Sequence, residues 1–305
     1  VSESTSSSAF PPPPPQSPLV QAASTSTADI HHTQTHNALD LDYTRARFLS
    51  DAPAAERLLA AAGSCDHLAQ AYYSILLDRG CSGVKKVSVR AAEFAHQALP
   101  WLREHAELGN PHAQFNLAMC LADGRGVAKD EKEAFRLYNL AAAQGQANAQ
   151  RTVGMCFAKG WGTEINRAEA LRHYKLAADQ GHSEALHDLG LCYYHGRSVS
   201  VDYAEAAKYY KLAADQGHAN AQHKLGLSYY KGHGANVDHA QAVKYFKLAA
   251  DQGHRDSQYA LGECHYEGNG VGVDYAEAVR YFKLAADQGQ EYAQFNLGQC
   301  FYHGK

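Results

Sequence analysis

The chain has 305 residues, 45% of them hydrophobic, and a net charge of −4 at pH 7. Basic and acidic residues nearly balance, so the chain lacks the excess of cations with which a nucleic-acid-binding protein neutralises phosphates. No apolar run approaches the about 18 residues needed to cross a bilayer, and we predict no membrane span. The hydrophobic content is sufficient for a core along most of the chain.

Residues 1–38 are rich in serine, threonine and proline and include the run Pro11–Pro15. Such a composition cannot bury a core, so we predict a disordered tail with polyproline II character. The segment Phe10–Pro14 resembles the ligand motif of EVH1 domains, in which an aromatic residue precedes a rigid proline helix. Because the acidic flanks of that motif are missing, the sequence favours a plain spacer over a site for a polyproline-binding domain.

From residue 111 onwards, several positions recur every 36 residues without a slip. One position is occupied by Leu117, Val153, Leu189, Leu225, Leu261 and Leu297. Another is occupied by Gly124, Gly160, Gly196, Gly232, Gly268 and Gly304. A fixed period of this length is the signature of a repeat architecture. Residues 111–305 hold five whole repeats and one half repeat, so we expect that Val1 and Lys305 bound a fragment or a processed form.

Each repeat has the pattern of two helices joined by a short loop. In the first helix, a small residue such as Ala113 precedes the recurrent leucine by four positions, which favours a close helix crossing. The glycine Gly124 then suits the left-handed conformation that ends a helix. The second helix opens with Asp130 and, three residues later, Glu133, which together predict a reciprocal capping box. One hairpin cannot bury its apolar face alone, so we predict an all-α solenoid of stacked helix-turn-helix repeats.

The pattern from Ala221 to Gly253 is similar to the Sel-1-like repeat, a relative of the tetratricopeptide repeat. The similarity extends over residues 111–305. It implies a right-handed superhelix whose first helices line a concave groove. It also implies adaptor or scaffold roles in complex assembly, protein degradation or signalling.

Residues 39–110 fit the repeat less well. Asp66 to Arg79 and Ala91 to Leu108 are predicted as a helical pair, although the loop between them is long and Pro100 replaces a capped start. We interpret this region as a divergent terminal repeat that caps the solenoid. A helix around Ala54 to Ala62 is expected to pack over its end.

The cysteine pattern bears on the compartment. Five of the seven cysteines share one repeat position, namely Cys120, Cys156, Cys192, Cys264 and Cys300. Packed helices lie about 8–10 Å apart, whereas the Cα atoms of a disulfide lie within about 7 Å. We therefore predict buried free thiols and a reducing compartment, either the cytoplasm or an organelle after removal of a transit peptide.

Three histidines, His182, His218 and His254, follow the glycine that closes each repeat, where a polar cap or rim residue is expected. Equivalent positions about 8–10 Å apart cannot surround one zinc ion, so we predict no metal site and no cofactor. The chain has no Walker loop, dinucleotide fingerprint or zinc-protease motif, and we predict that it is not an enzyme.

Comparison of the repeats also reveals variable positions on one face of the first helices. One variable position holds Phe115, Arg151, His187, His223, Tyr259 and Phe295, and another holds Tyr194, Tyr230 and Tyr266. Aromatic and arginine side chains dominate interface hot spots, so we predict that these residues contact a partner. For the tyrosines, packing against the neighbouring repeat is an equally good interpretation. For the other position the groove is favoured.

The sequence thus predicts a non-catalytic adaptor that holds an extended or helical segment of a partner protein in its groove. The partner is not identified by the sequence. A permanent structural subunit of a large assembly, with contacts on both faces, is the alternative. An assembly factor that binds metal or haem is a more distant one.

Overall fold

The computed structural model describes residues 38–39, 52–64, 66–79 and 88–302. The predictions for the tail and for Phe10–Pro14 fall outside these residues. The described ranges contain fourteen α-helices and no strand. The three helices before the repeats are α1 (Ala52–Gly63), α2 (His67–Arg79) and α3 (Ser88–Glu107).

Each repeat consists of a first helix and a second helix, and these alternate along the chain. The first helices are α4 (Pro111–Asp123), α6 (Ala147–Lys159), α8 (Ser183–His195), α10 (Ala219–Lys231), α12 (Arg255–Glu267) and α14 (Glu291–Tyr302). The second helices are α5 (Glu131–Ala143), α7 (Arg167–Asp179), α9 (Tyr203–Asp215), α11 (His239–Asp251) and α13 (Tyr275–Asp287). Each helix packs against the helices that precede and follow it in the chain, so the core is a seam along the stack.

The predicted helix ends are largely confirmed. Gly160 has φ of 77° and donates its N–H to the carbonyl of Cys156, as expected of a left-handed C-terminal cap. The side chain of Asp130 accepts hydrogen bonds from the N–H groups of Lys132 and Glu133 at the start of α5.

The second hydrogen bond predicted for the capping box, from the N–H of Asp130 to the side chain of Glu133, is wrong. Glu133 does not reach back to Asp130, because its carboxylate pairs with Arg136 at 2.6 Å. The N–H of Asp130 instead donates to the carbonyl of Leu121 at 2.9 Å, which ties the second helix to the first.

Small residues let the two helices of a hairpin approach closely. Gly190 on α8 lies against the ring of Tyr210 on α9, which is completely buried. A Cβ atom at Gly190 would lie only 2.4 Å from that ring. The aromatic residue of the second helix therefore fills the space that the glycine leaves open.

Successive hairpins are joined by glutamines that the sequence analysis did not single out. Gln150 on α6 is 6% exposed and donates its amide to the carbonyl of Ala142 at the end of α5. Its own side-chain oxygen accepts a hydrogen bond from Gln180, which ends α7, at 2.7 Å. The same glutamine pair joins α10 to the end of α11 and α12 to the end of α13. These bonds satisfy carbonyls at helix ends that would otherwise be buried without partners.

The five cysteines of the shared repeat position are buried free thiols. Burial raises the pKa of Cys120 to about 11 and that of Cys156 to about 12. A thiol with such a pKa is overwhelmingly protonated at neutral pH and acts as a small hydrophobe.

The close crossing at Gly190 can be tested by replacing it with leucine. The new side chain would overlap Tyr210, so we expect Gly190→Leu to lower the free energy of unfolding by about 3 kcal/mol, as measured by urea denaturation. Gly298→Leu is the matched control, because nothing lies within 4 Å of a Cβ atom there. Equal losses in the two variants would contradict the packing account.

Candidate partner-binding face

The predicted contact residues all lie on first helices, and they differ widely in exposure. Phe115 is 2% exposed, whereas Phe295 on α14 is 64% exposed. The remaining ones are partly buried: Arg151, His187, Tyr194, His223, Tyr230, Tyr259 and Tyr266. Some residues of this face are therefore buried by packing between repeats, whereas others are exposed to solvent.

Clefts open between neighbouring first helices on this face. The cleft between α4 and α6 has a volume of about 410 Å³, and Phe115, Arg151 and Met155 contribute to its lining. The cleft between α6 and α8 has about 460 Å³ and shares Met155 with the first. The cleft between α12 and α14 has about 240 Å³ and includes Tyr259 and Tyr266 in its lining. In each cleft the second helix that connects the two first helices also contributes lining residues.

Arg151 is held by the next repeat. Its Nε lies 2.7 Å from a carboxylate oxygen of Asp188, and its Nη1 lies 3.1 Å from one of Glu184. The side chain of Glu184 is only 6% exposed. Burial raises the pKa of Asp188, and the charge of Arg151 opposes that rise. The guanidinium thus compensates two largely buried carboxylates and joins α6 to α8.

The histidines at the equivalent position stack on the next repeat. The ring centroids of His187 and His218 lie 5.0 Å apart, and those of His223 and His254 lie 4.7 Å apart. The Nδ1 of His223 is also 2.9 Å from the hydroxyl of Ser257. Burial lowers the pKa of His187 and of His223 to about 3, so both rings are neutral at physiological pH.

Two of the tyrosines at the second variable position, Tyr194 and Tyr230, bond to the next repeat, which agrees with the packing interpretation. The hydroxyl of Tyr194 lies 3.1 Å from the Nδ1 of His233, in the loop of the following repeat, and its ring packs on Tyr203. The hydroxyl of Tyr230 accepts a hydrogen bond from Asn269 at 3.1 Å. Each of these tyrosines is therefore a joint between repeats that is still partly exposed. Whether it also contacts a partner stays a prediction.

The expected cap role of His182, His218 and His254 is confirmed. Each accepts a hydrogen bond at Nδ1 from the backbone N–H three residues later, at the start of α8, α10 and α12. The Nε2 of His182 then lies 3.0 Å from the side-chain oxygen of Asn148, in the preceding first helix. The ring must be neutral, because one nitrogen accepts while the other donates. Burial lowers the pKa of His182 to about 4.

The described ranges contain neither a candidate membrane span nor a candidate metal site. No helix there has the length and apolarity of a membrane span. No group of three or more histidine, cysteine, aspartate or glutamate side chains is placed there to hold a metal ion.

The sequence pattern of the Sel1 repeat matches six consecutive segments, 111–146, 147–182, 183–218, 219–254, 255–290 and 291–305. The chain belongs to the Sel1 repeat family. The predicted all-α, right-handed superhelical solenoid is thereby confirmed. Sel1 repeats generally mediate protein–protein interaction, and the family is generally non-catalytic.

Solved structures of Sel1 repeat proteins share this fold. One is c5321, a protective antigen present in uropathogenic Escherichia coli strains, with 30% identity and a TM-score of 0.67 over 82% of this chain. The match covers 52% of c5321, so this chain spans about half the length of that protein. Another is a Sel1 repeat protein from Oxalobacter formigenes, with 30% identity and a TM-score of 0.65 over 69% of this chain and 86% of that one. A search of curated proteins found no match.

The Arg151 cluster predicts a large effect of one substitution. Arg151→Met removes the arginine charge shared by Glu184 and Asp188 and leaves Glu184 only the Nε2 of His218, at 3.3 Å, so we expect the free energy of unfolding to fall by about 3 kcal/mol. Arg172→Met is the control, because that side chain is 56% exposed in its ion pair, and such pairs contribute less than about 1 kcal/mol. Equal effects in urea denaturation would contradict the role of Arg151 as a buried counter-ion.

The buried cap histidine His182 predicts acid sensitivity. His182 has a pKa of about 4 in the folded chain and about 6.5 when unfolded. The unfolded chain therefore binds the proton first, and stability is lost as pH falls from about 6.5 towards 4. We expect His182→Asn, which keeps a cap, to remove about 3 kcal/mol of this pH-dependent change in unfolding free energy. The exposed His195→Asn should change it much less, and an unaltered pH profile for His182→Asn would contradict the assignment.

Proposed function

We propose that this Sel1 repeat protein is a non-catalytic adaptor whose first-helix face binds a segment of a partner protein. One observation carries the proposal: clefts recur between first helices, and the variable positions of the repeats contribute to their lining. If these positions served only to pack one repeat on the next, we would expect the same residue in every repeat. The interaction role general to the family supports the same proposal.

The contact surface we propose is narrower than the sequence alone indicates. Arg151, His187 and His223 are committed to bonds and stacking between repeats, so their substitution would disturb the solenoid itself. The residue two positions after the recurrent leucine is better suited to a test. At this position Met155, Leu191 and Leu227 are only partly buried.

A matched pair of triple variants tests the proposal by affinity capture from the native source and mass spectrometry. The face variant carries Met155→Gln, Leu191→Gln and Leu227→Gln. The control variant carries Leu176→Gln, Leu212→Gln and Leu248→Gln on second helices, where these leucines are 38–52% exposed. We expect the face variant to lose its partner and the control variant to retain it, both with unchanged helical circular dichroism.

The alternative, a permanent structural subunit, is favoured by a different feature. The second helices carry a half-exposed leucine in every repeat, at Leu140, Leu176, Leu212, Leu248 and Leu284. A subunit packed on both faces would cover this column. Loss of capture in the control variant alone, or equally in both variants, would support the structural subunit and contradict the adaptor.

We also propose a reducing compartment for the protein. Five buried thiols with no disulfide among the described cysteines support this location.

A further inference from the structure

The cleft between α6 and α8 differs from the other clefts of the first-helix face in its charges. Lys159, Arg167 and Arg197 contribute to its lining, and we call it the basic cleft. The one carboxylate in that lining, Asp188, is already paired with Arg151. Because the single charge of Arg151 is shared by Asp188 and Glu184, the basic cleft carries an excess of two positive charges.

In the part of the chain that the structure describes, these three cations have no carboxylate partner, although Lys159 lies in the last turn of α6, where the helix dipole favours a positive charge. Arg172, which lies on α7 together with Arg167, by contrast bonds to Glu169 at 2.8 Å. Arg167 is also the first residue of α7, where the helix dipole disfavours a positive charge. An anion in the basic cleft would relieve both the mutual repulsion and this unfavourable position.

Two other clefts of the first-helix face do not share this excess. Between α4 and α6, Lys129 is paired with Glu131 at 2.6 Å. Between α12 and α14, the charged lining residues are Glu263 and Glu267. The face thus changes sign along the solenoid. A polyanion such as a nucleic acid or an anionic membrane would be attracted at the basic cleft and repelled at the cleft between α12 and α14.

Apolar side chains also contribute to the lining of the basic cleft. Met155, Leu191 and the ring of Tyr174 contribute to the lining of its volume of about 460 Å³. A cleft whose lining combines apolar side chains with cations fits a peptide that carries both apolar and acidic side chains.

We propose that the basic cleft binds an acidic segment of a protein partner. The carboxylates of glutamate or aspartate side chains contact Lys159, Arg167 and Arg197, and an intervening apolar side chain occupies the cleft. This inference rests on the proposed function, because it names the chemistry of the partner that the first-helix face holds.

Peptide binding to the purified chain, followed by fluorescence anisotropy, tests the proposal. The probe is a labelled peptide in which glutamate alternates with leucine, and the reference peptides carry glutamine or lysine in place of glutamate. We expect the glutamate peptide to bind at least about tenfold more tightly than the glutamine peptide. Its affinity should also fall as ionic strength rises.

Charge reversal locates the site. The double variant Lys159→Glu with Arg197→Glu should lose at least about tenfold in affinity for the glutamate peptide and should prefer the lysine peptide. The control is Lys175→Glu with Lys247→Glu, which makes the same change in net charge at exposed positions of second helices. This control should retain the affinity of the unmodified chain, and circular dichroism checks the fold of both.

Several results would overturn the proposal. They are equal binding of the glutamate and glutamine peptides, no measurable binding of the glutamate peptide at low ionic strength, and equal losses in the two double variants. If the reversed variant does not fold, the salt dependence of the unmodified chain decides, and an affinity independent of salt overturns the proposal. Retained capture of the native partner by the reversed variant, with loss of capture in the face variant, would refute the acidic partner and leave the adaptor function standing.

Discussion

The structure depends on the interface between successive hairpins, which we call the joint. A hairpin of this size cannot bury its apolar face alone, so each repeat needs the next one to complete its core. The joint is closed by polar side chains that lie at helix ends: Gln150 receives a bond from Gln180, and His182 caps α8 while reaching back to Asn148. These bonds satisfy buried backbone groups and fix the position of each first helix on its neighbour.

The same joint shapes the candidate site. Because first helices are held side by side, clefts form between them wherever the side chains facing the joint leave space. Residues that face the joint have two roles available, namely connection of repeats and contact with a partner. Arg151 is committed to the first role by two carboxylates, whereas Leu191 packs beside the core and is partly exposed at the basic cleft, so that it can take both roles.

The sequence predicted what depends on local chemistry or on strict periodicity. The cap at Asp130 and the closing Gly160 are local, and the unbroken period of 36 residues identified the stack. The sequence did not predict the side-chain contacts between successive hairpins, because these depend on how one hairpin is oriented relative to the next. The ion pair of Arg151 with Asp188 joins residues 37 apart, and no pattern within one repeat shows which two positions will meet. The glutamines could have been found, since Gln150 and Gln180 both recur with the repeat.

The central claim is that the first-helix face, and not the second-helix face, holds the partner. Site-specific photo-crosslinking tests it most directly, with the reactive group placed either at Leu191 on α8 or at the 52% exposed Leu212 on α9. Both sites lie in the same repeat, on two helices that pack against each other. We expect a crosslink to the captured partner from position 191 and none from position 212. A crosslink from position 212 alone would contradict it.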